Sequence, residues 1–320
     1  MKIDSPLTNI QGYLDEFKGF ASNEEFIKRT EDLRRLIGIH QKVKEGLELD
    51  SKDLRFLYQV DSPIDDFDFG EDLGVADLLN GRDKEKDILN LFECEKSQIA
   101  RSKDQINEST KIYIGPVSKD IFESLKKFKI DYIYTSFPGS RIKIQDLEVE
   151  SETKSAIRSQ LETSVDIQSS GYAKELLGVE GFTTVVDRTS GSVGLTQEDK
   201  DLLIKEHPGA LNRNYTLVTL STEDLGFSNA PTLKEIYEKA KTLGLELCPS
   251  ELGPKFRLKL KDQARNDLVY VGMEPITDQP GDPHIFSIAR HEDELWLDDA
   301  WTRDTYKFDT KAKFIFSLSR

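Results

Sequence analysis

Apolar residues recur at helical spacing through the first hundred positions of the chain. After Pro6, and again after Asn23, they lie three or four positions apart, which predicts two helices, the second ending near Gly38. The apolar stripe of the second helix is Phe26, Thr30, Leu33 and Ile37. Shorter helices are predicted at 53–59, 73–79 and 87–92. Residues 1–105 therefore form a predicted helical N-terminal segment.

The period changes from helix-like to strand-like near Thr110. A short apolar run ends at Gly115-Pro116, Ser118 begins a helix, and a second run covers 132–135. Strand, helix and strand within about thirty residues are typical of a βαβ unit. A further strand is predicted at 141–149, and helices within 155–177. Residues 106–185 are thus a predicted small α/β unit with following helices.

The remaining pattern predicts a linker and a second α+β region. Turn-forming residues and one short helix, 197–206, mark 186–213 as a linker. The region 214–320 begins with a strand and a helix that Thr232 caps. Five further strands follow, at 257–261, 268–273, 285–289, 294–297 and 313–318. The fold class predicted is α+β, with a C-terminal, mostly antiparallel sheet and one packed helix.

The chain is strongly acidic, with 59 Asp and Glu against 44 Lys and Arg and a formal net charge of −15. This charge repels a phosphate backbone and argues against a nucleic-acid partner. The densest basic stretch alternates with apolar residues at Lys255, Arg257, Lys259 and Lys261. It is typical of a half-buried strand with a charged outer face. An anion-binding or nucleic-acid-binding strip is the alternative.

Two cysteines, Cys94 and Cys248, lie far apart, and no apolar run reaches membrane-spanning length. The N-terminus has no apolar core of a signal peptide. These features favour a cytoplasmic protein with reduced cysteines and without a membrane partner. No phosphate-binding or dinucleotide-binding glycine motif is present, so we predict no cofactor.

The groups with chemical potential do not form a recognised catalytic or metal motif. Cys248 needs a base such as His284 or His291 after folding, and a thiol between Leu247 and Pro249 is usually a small buried apolar group. The segment Asp66-x-Asp68 resembles the start of a calcium loop, but the glycine and glutamate positions do not fit. We therefore assign no catalytic residue and no metal ligand.

Trp296 and Trp301 fall within six residues of each other, beside Arg303. Trp and Arg dominate the anchors of protein interfaces, although both rings could instead cap the core of the sheet. The predicted binding residues are Trp296, Trp301, Arg303, Lys255, Arg257 and Lys259. They favour a non-enzymatic interaction module with a protein partner. A hydrolase or transferase that uses Cys248, His284, His291 and Arg290 is the alternative, and an acidic mimic of nucleic acid is a third.

Three stretches together resemble an uncharacterised family of bacterial proteins. The first is INESTKIYIGPVSKDIF with IDYIYTSFPGSRI, the second is AKTLGLELCPSELGPKFRLKLKDQ, and the third is MEPITDQPGDPHIFSIAR before a C-terminal FIFSLSR. The resemblance spans about residues 25–320 and implies no activity or catalytic residue. It favours a bacterial cytoplasmic protein whose C-terminal part recurs as a unit.

Overall fold

The computed structural model describes residues 24–62, 64, 74–179, 181–189, 196–206, 211–278, 281–291 and 294–318. The chain divides into two compact units, one up to Ile99 and a larger one from Ala100 onwards. Helices dominate the first unit, and the second combines helices with sheets. The predicted α+β class is confirmed.

The described part of the first unit is helical. Its helices are α1 (Glu24–Lys44), α2 (Ser51–Leu57), α3 (Val75–Leu79) and α4 (Lys84–Leu91). Helix α1 continues past Gly38, where its end was predicted, because Ile39 extends the buried stripe of Leu33 and Leu36. The first predicted helix and the acidic Asp66-x-Asp68 segment lie outside the described residues.

Aspartate side chains cap helices α2 and α4 of this unit. Asp50 accepts a hydrogen bond from the backbone N–H of Asp53, and the Asp53 carboxylate accepts one from the backbone N–H of Asp50. This reciprocal capping satisfies two backbone donors at the start of α2. Asp83 caps α4 by accepting hydrogen bonds from the N–H groups of Glu85 and Lys86.

A small sheet comes next along the chain. It contains β1 (Ile99–Ala100), β2 (Ile112–Ile114) and β3 (Tyr132–Tyr134) in the order β1-β2-β3. Strands β2 and β3 are parallel and are joined by α5 (Lys119–Lys127). Phe122 and Leu125 of α5 are fully buried. The predicted βαβ unit is confirmed.

Among the described residues, the main sheet of the larger unit has nine strands. They are β4 (Lys143–Val149), β5 (Ile167–Ser169), β6 (Arg213–Ser221), β7 (Leu245–Glu246), β8 (Leu268–Val271), β9 (Ile276–Thr277), β10 (Pro283–His291), β11 (Glu294–Trp301) and β12 (Lys313–Leu318). The order is β4-β6-β12-β8-β10-β11-β5, while β7 pairs with β12 and β9 with β10. Most neighbours are antiparallel; β8 with β12 and β5 with β11 are parallel. The predicted mostly antiparallel sheet is therefore confirmed.

Several helices accompany this sheet, rather than the single one predicted. They are α6 (Lys154–Thr163), α7 (Gly171–Leu176), α8 (Val185–Thr189), α9 (Gln197–Glu206), α10 (Leu233–Thr242) and α11 (Leu252–Lys259). Helix α11 packs on β10 and β11, and α7 packs on β11. Buried apolar side chains from Ala100 to Leu318 form one continuous hydrophobic cluster.

Helix α11 replaces the strand predicted at 257–261. Phe256 and Arg257 are buried along with the residues before them, so α11 is enclosed on most sides and shows no amphipathic period. Gly253 allows the close approach, because a Cβ there would lie 2.7 Å from Cβ of Phe286 on β10. The alternation of basic and apolar residues therefore predicts a strand where the chain forms a helix.

The segment 186–213 does not separate two sheets. Strands β4 and β5 precede it, yet they pair with β6 and β11, which follow it. The predicted separate domain at 214–320 therefore does not contain the whole sheet, because β4 and β5 belong to that sheet and precede residue 186. The short helix predicted at 197–206 is present as α9.

Candidate functional site

The hairpin of β10 and β11 brings His284 and Trp301 together. These two residues are direct cross-strand partners, and the register continues without a bulge to His291 and Glu294. The N–H of Thr302 donates to the carbonyl of Pro283, so the neighbouring pair is hydrogen-bonded. The His284–Trp301 pair is then the closely spaced kind, with Cα atoms roughly 4.5 Å apart and both side chains on one face. Asp299 shares that face, two residues before Trp301.

The imidazole of His284 lies between two carboxylates. Its Nδ1 is 2.7 Å from Oδ2 of Asp299, and its Nε2 is 3.3 Å from Oδ2 of Asp278. His284 is only 5% exposed. The ring of Tyr172, from α7, stacks on the imidazole with a centroid distance of 5.7 Å and an interplanar angle of 19°. Three separate elements of the fold therefore meet at His284.

Asp278 is held in a tight turn between β9 and β10. Its Oδ1 accepts hydrogen bonds from the N–H groups of Gly281 at 3.1 Å and Asp282 at 2.7 Å. Burial acts to raise the pKa of Asp278, but these backbone donors and His284 outweigh burial and hold the pKa below its ordinary value. Gly281 has a φ of +110°, which favours glycine at this position. The turn thus presents an ionised carboxylate to His284.

Asp299 also connects the hairpin to α7. Its Oδ1 accepts a hydrogen bond from the hydroxyl of Ser170 at 3.1 Å. Ser170 is the N-cap of α7, because its Oγ accepts the N–H of Ala173 at 3.0 Å. The Ser170 hydroxyl therefore donates to Asp299 and accepts from Ala173. It does not point to His284, as the hydroxyl of a nucleophile would.

Trp301 and Arg303 form the exposed part of the site. The guanidinium carbon of Arg303 lies 3.8 Å from the ring centroid of Trp301, a cation–π contact. Nη2 of Arg303 is 3.2 Å from Oδ1 of Asp282, in the same turn as Asp278. Trp301 is 44% exposed and Tyr172 is 58% exposed. We name Tyr172, Asp282, Trp301 and Arg303 the Trp301 surface.

The acidic groups around His284 do not form a metal site. Asp299 and Asp278 face opposite nitrogens of one imidazole, so the three side chains cannot converge on one cation. Within the described ranges, no group of three or more His, Cys, Asp or Glu residues is placed to hold a metal ion. The site offers an imidazole between carboxylates, with aromatic rings and a guanidinium above it.

The predicted basic residues are not part of the Trp301 surface. Lys255 and Arg257 are 4% and 0% exposed, so they do not form the outward-facing strip that a strand would have displayed. Lys259 is partly exposed and donates to the carbonyl of Glu148 on the edge strand β4 at 2.6 Å. Four strands separate β4 from β11 in the sheet order. The six predicted binding residues therefore do not form one patch.

Trp296 lies on the opposite face of β11 from Trp301, because the two positions differ by an odd number in an unbroken strand. Its Nε1 donates to Glu294 at 3.3 Å, and its ring contacts His291 edge-on at 6.0 Å. The two tryptophans thus sit in separate environments at opposite ends of the hairpin, each beside one histidine.

The groups of the enzyme hypothesis lie in different surroundings. The Cys248 thiol is buried and donates to the carbonyl of Ile315 at 3.6 Å, and burial raises its pKa. Arg290 donates to the carbonyl of Gln263. His291 contacts Trp296, and His284 lies between its two carboxylates. Sequence reasoning named His284 as a possible base but missed Asp278, Asp299 and Tyr172, because only strand register and helix docking bring them to it.

Comparison with protein-family models, with curated proteins and with solved structures finds no match for this chain. In the part of the chain that the structure describes, no helix is both long and apolar enough to cross a membrane.

Proposed function

We propose that this protein is a non-enzymatic interaction module that binds a protein partner through the Trp301 surface. The observation that carries the proposal is the exposed indole of Trp301, which extends from β11 and is covered on one side by the guanidinium of Arg303. Binding normally costs side-chain entropy. Here the Asp282 contact already orders Arg303, so less of that entropy is lost when a partner binds.

The chemistry of the neighbouring groups supports binding rather than catalysis. A nucleophile needs a base within hydrogen-bond reach and a lowered pKa. The hydroxyl of Ser170 caps α7, and burial raises the pKa of the Cys248 thiol. Both candidate nucleophiles therefore have structural roles that oppose activation.

Charge indicates which kind of partner fits. The formal net charge of −15 attracts proteins with an excess of basic side chains and repels nucleic acids. Asp282 and the exposed Asp304 add local negative charge around the aromatic centre. We expect a basic protein surface that buries Trp301 and pairs with the acidic rim, and an association rate that falls as salt rises.

The test is affinity purification of the full tagged chain, followed by binding measurements on the purified pair. Trp301→Ala removes the proposed anchor, and Trp296→Ala, on the opposite face of β11, is the matched control. We expect at least a tenfold loss of affinity for Trp301→Ala, the size of an interface anchor, and little change for Trp296→Ala. Circular dichroism checks that both variants are folded.

Equal losses in the two tryptophan variants, or none in Trp301→Ala, would remove the Trp301 surface as the binding site. A partner that is acidic, or a nucleic acid whose binding survives Trp301→Ala, would contradict the proposed partner class. Arg303→Lys provides a finer test, because an ammonium cannot stack on an indole as a planar guanidinium does. We expect it to weaken binding while the fold is retained.

A further inference from the structure

His284 has two acceptors and no other hydrogen-bonding partner among the described residues. Asp299 faces Nδ1 and Asp278 faces Nε2, which is buried and makes no well-aligned hydrogen bond. A neutral imidazole has one N–H and one lone pair, whereas the doubly protonated ring has two N–H groups. Only the imidazolium can donate to both carboxylates. In the neutral ring, one lone pair faces a carboxylate oxygen in the protein interior, which is unfavourable.

Asp278 does not supply a proton to Nε2. Its carboxylate is stabilised in the ionised form by the N–H groups of Gly281 and Asp282. Asp299 faces Nδ1 and also accepts a hydrogen bond from the hydroxyl of Ser170. The titratable groups that face the His284 ring from the packed elements of the described chain are Asp299 of β11, Asp278 of the turn and Tyr172 of α7.

We propose that His284 is a proton-operated switch that sets the arrangement of the Trp301 surface. With the ring doubly protonated, His284 holds the turn of Asp278 against the hairpin. Asp282, in that turn, then reaches Arg303 and keeps it on Trp301. When the ring loses its Nε2 proton, the Nε2 lone pair faces the carboxylate of Asp278 and no hydrogen bond holds the turn. The turn, which contains Asp282, is then released, so Arg303 loses its carboxylate partner.

The biological consequence of this switch rests on the proposed function. We expect the partner to bind more strongly at acid pH than at alkaline pH. The arrangement itself can be tested without a partner. The chain has two tryptophans, so Trp296→Phe leaves Trp301 as the only indole. In this background, acrylamide quenching of the fluorescence reports how accessible Trp301 is to solvent.

We expect acrylamide quenching of Trp301 to increase as pH rises, in one single-proton transition. His284→Gln should abolish the transition. His291→Gln is the matched control, because His291 lies at the other end of the same hairpin, and should preserve it. Asp278→Asn should also abolish it, since an amide can donate to a neutral Nε2.

A flat quenching profile in the Trp296→Phe protein would overturn the switch, as would a transition that persists unchanged in His284→Gln. If His284→Gln does not fold, Asp278→Asn decides the matter, and an unchanged transition there overturns the proposal. These results are separate from the proposed function. Partner binding that depends on Trp301 at every pH, with a flat quenching profile, would retain the interaction module and remove its control by His284.

Discussion

The ammonium group of Lys255 forms an ion pair with the carboxylate of Glu152 inside the larger unit. The side chains are 5% and 16% exposed. Burial lowers the pKa of Lys255 to about 8, the largest effect on this group. A buried cation of this kind depends on its carboxylate, because the interior solvates it poorly.

Glu152→Gln should destabilise the protein strongly, since it leaves the ammonium of Lys255 without its charged partner. We expect the free energy of unfolding to fall by about 3 kcal/mol, measured by urea denaturation at pH 7. Glu162→Gln is the control, because Glu162 is an exposed partner of Arg158 at 2.9 Å, and should change stability by less than about 0.5 kcal/mol. Adding Lys255→Met to Glu152→Gln should recover part of the loss. Equal effects of the two glutamate variants would contradict the assignment.

Arg257 connects the end of α11 to β10 through uncharged acceptors. Its guanidinium donates to the side chain of Gln263 at 2.6 Å, to the carbonyl of Ala289 at 3.0 Å and to the carbonyl of Leu260. The side chain is fully buried, and burial lowers its pKa to about 10. A planar fork with several N–H groups fits acceptors spread in this way, whereas a single ammonium does not.

Arg257→Lys should therefore lower the free energy of unfolding by roughly 2 to 4 kcal/mol, because buried acceptors lose their donors. Lys259→Arg, on the exposed end of the same helix, should change it by less than about 0.5 kcal/mol. Urea denaturation followed by circular dichroism measures both. A near-neutral Arg257→Lys would show that Arg257 does not hold α11 to the sheet.

The region around Arg257 also shows why part of the fold escaped prediction. Its basic and apolar residues alternate with period two, as in a strand, yet the segment is a helix enclosed by β10, β11 and other elements. Burial on most sides removes the amphipathic stripe that identifies a helix. By contrast, α10 shows such a stripe with buried Ile236 and Ala240, and its start at the Thr232 cap was predicted. The three-residue strand β5 is too short to display any period.

The candidate site was predictable only in its exposed part. Trp301 and Arg303 stand out by residue type, two positions apart. The link to His284 depends on the register of β10 with β11, and that to Tyr172 on the docking of α7. A single sequence contains no direct signal for either pairing. Residues 129 positions apart, such as Ser170 and Asp299, meet only after the sheet has formed.

The two cysteines should differ sharply in reactivity. Cys248 is buried, its thiol donates to Ile315, and burial raises its pKa, so the reactive thiolate is scarce near neutral pH. Cys94 is only partly buried. Titration of the native protein with a thiol reagent such as DTNB should therefore detect one thiol, and titration in denaturant two. Native Cys94→Ser should give none. Rapid labelling of native Cys248 would revive the enzyme hypothesis.

Asp187 of α8 holds α9 in place through Lys200, whose Nζ lies 2.6 Å from its Oδ1. The other oxygen accepts from the N–H and hydroxyl of Thr184. Burial acts to raise the pKa of Asp187, but the hydrogen bonds from Lys200 and Thr184 outweigh it and hold the pKa below the ordinary 3.8. The folded state thus favours the ionised carboxylate, which contributes stability above the ordinary pKa. This contribution is lost as pH falls through the lowered pKa.

Asp187→Asn should therefore release α9 at neutral pH while the sheet stays intact. We expect hydrogen exchange of the amides in 197–206 to accelerate at least tenfold, and that of β10 and β12 to remain unchanged, because the lost contact is local. Asp201→Asn, on α9 itself, serves as the control, because the Asp201 carboxylate accepts a hydrogen bond from Gln197 of the same helix. The wild-type protein should reproduce the faster exchange of α9, after correction for the intrinsic rate, only at pH values below the ordinary pKa of 3.8. Equally fast exchange in the two variants would show that the ion pair with Lys200 does not hold the helix.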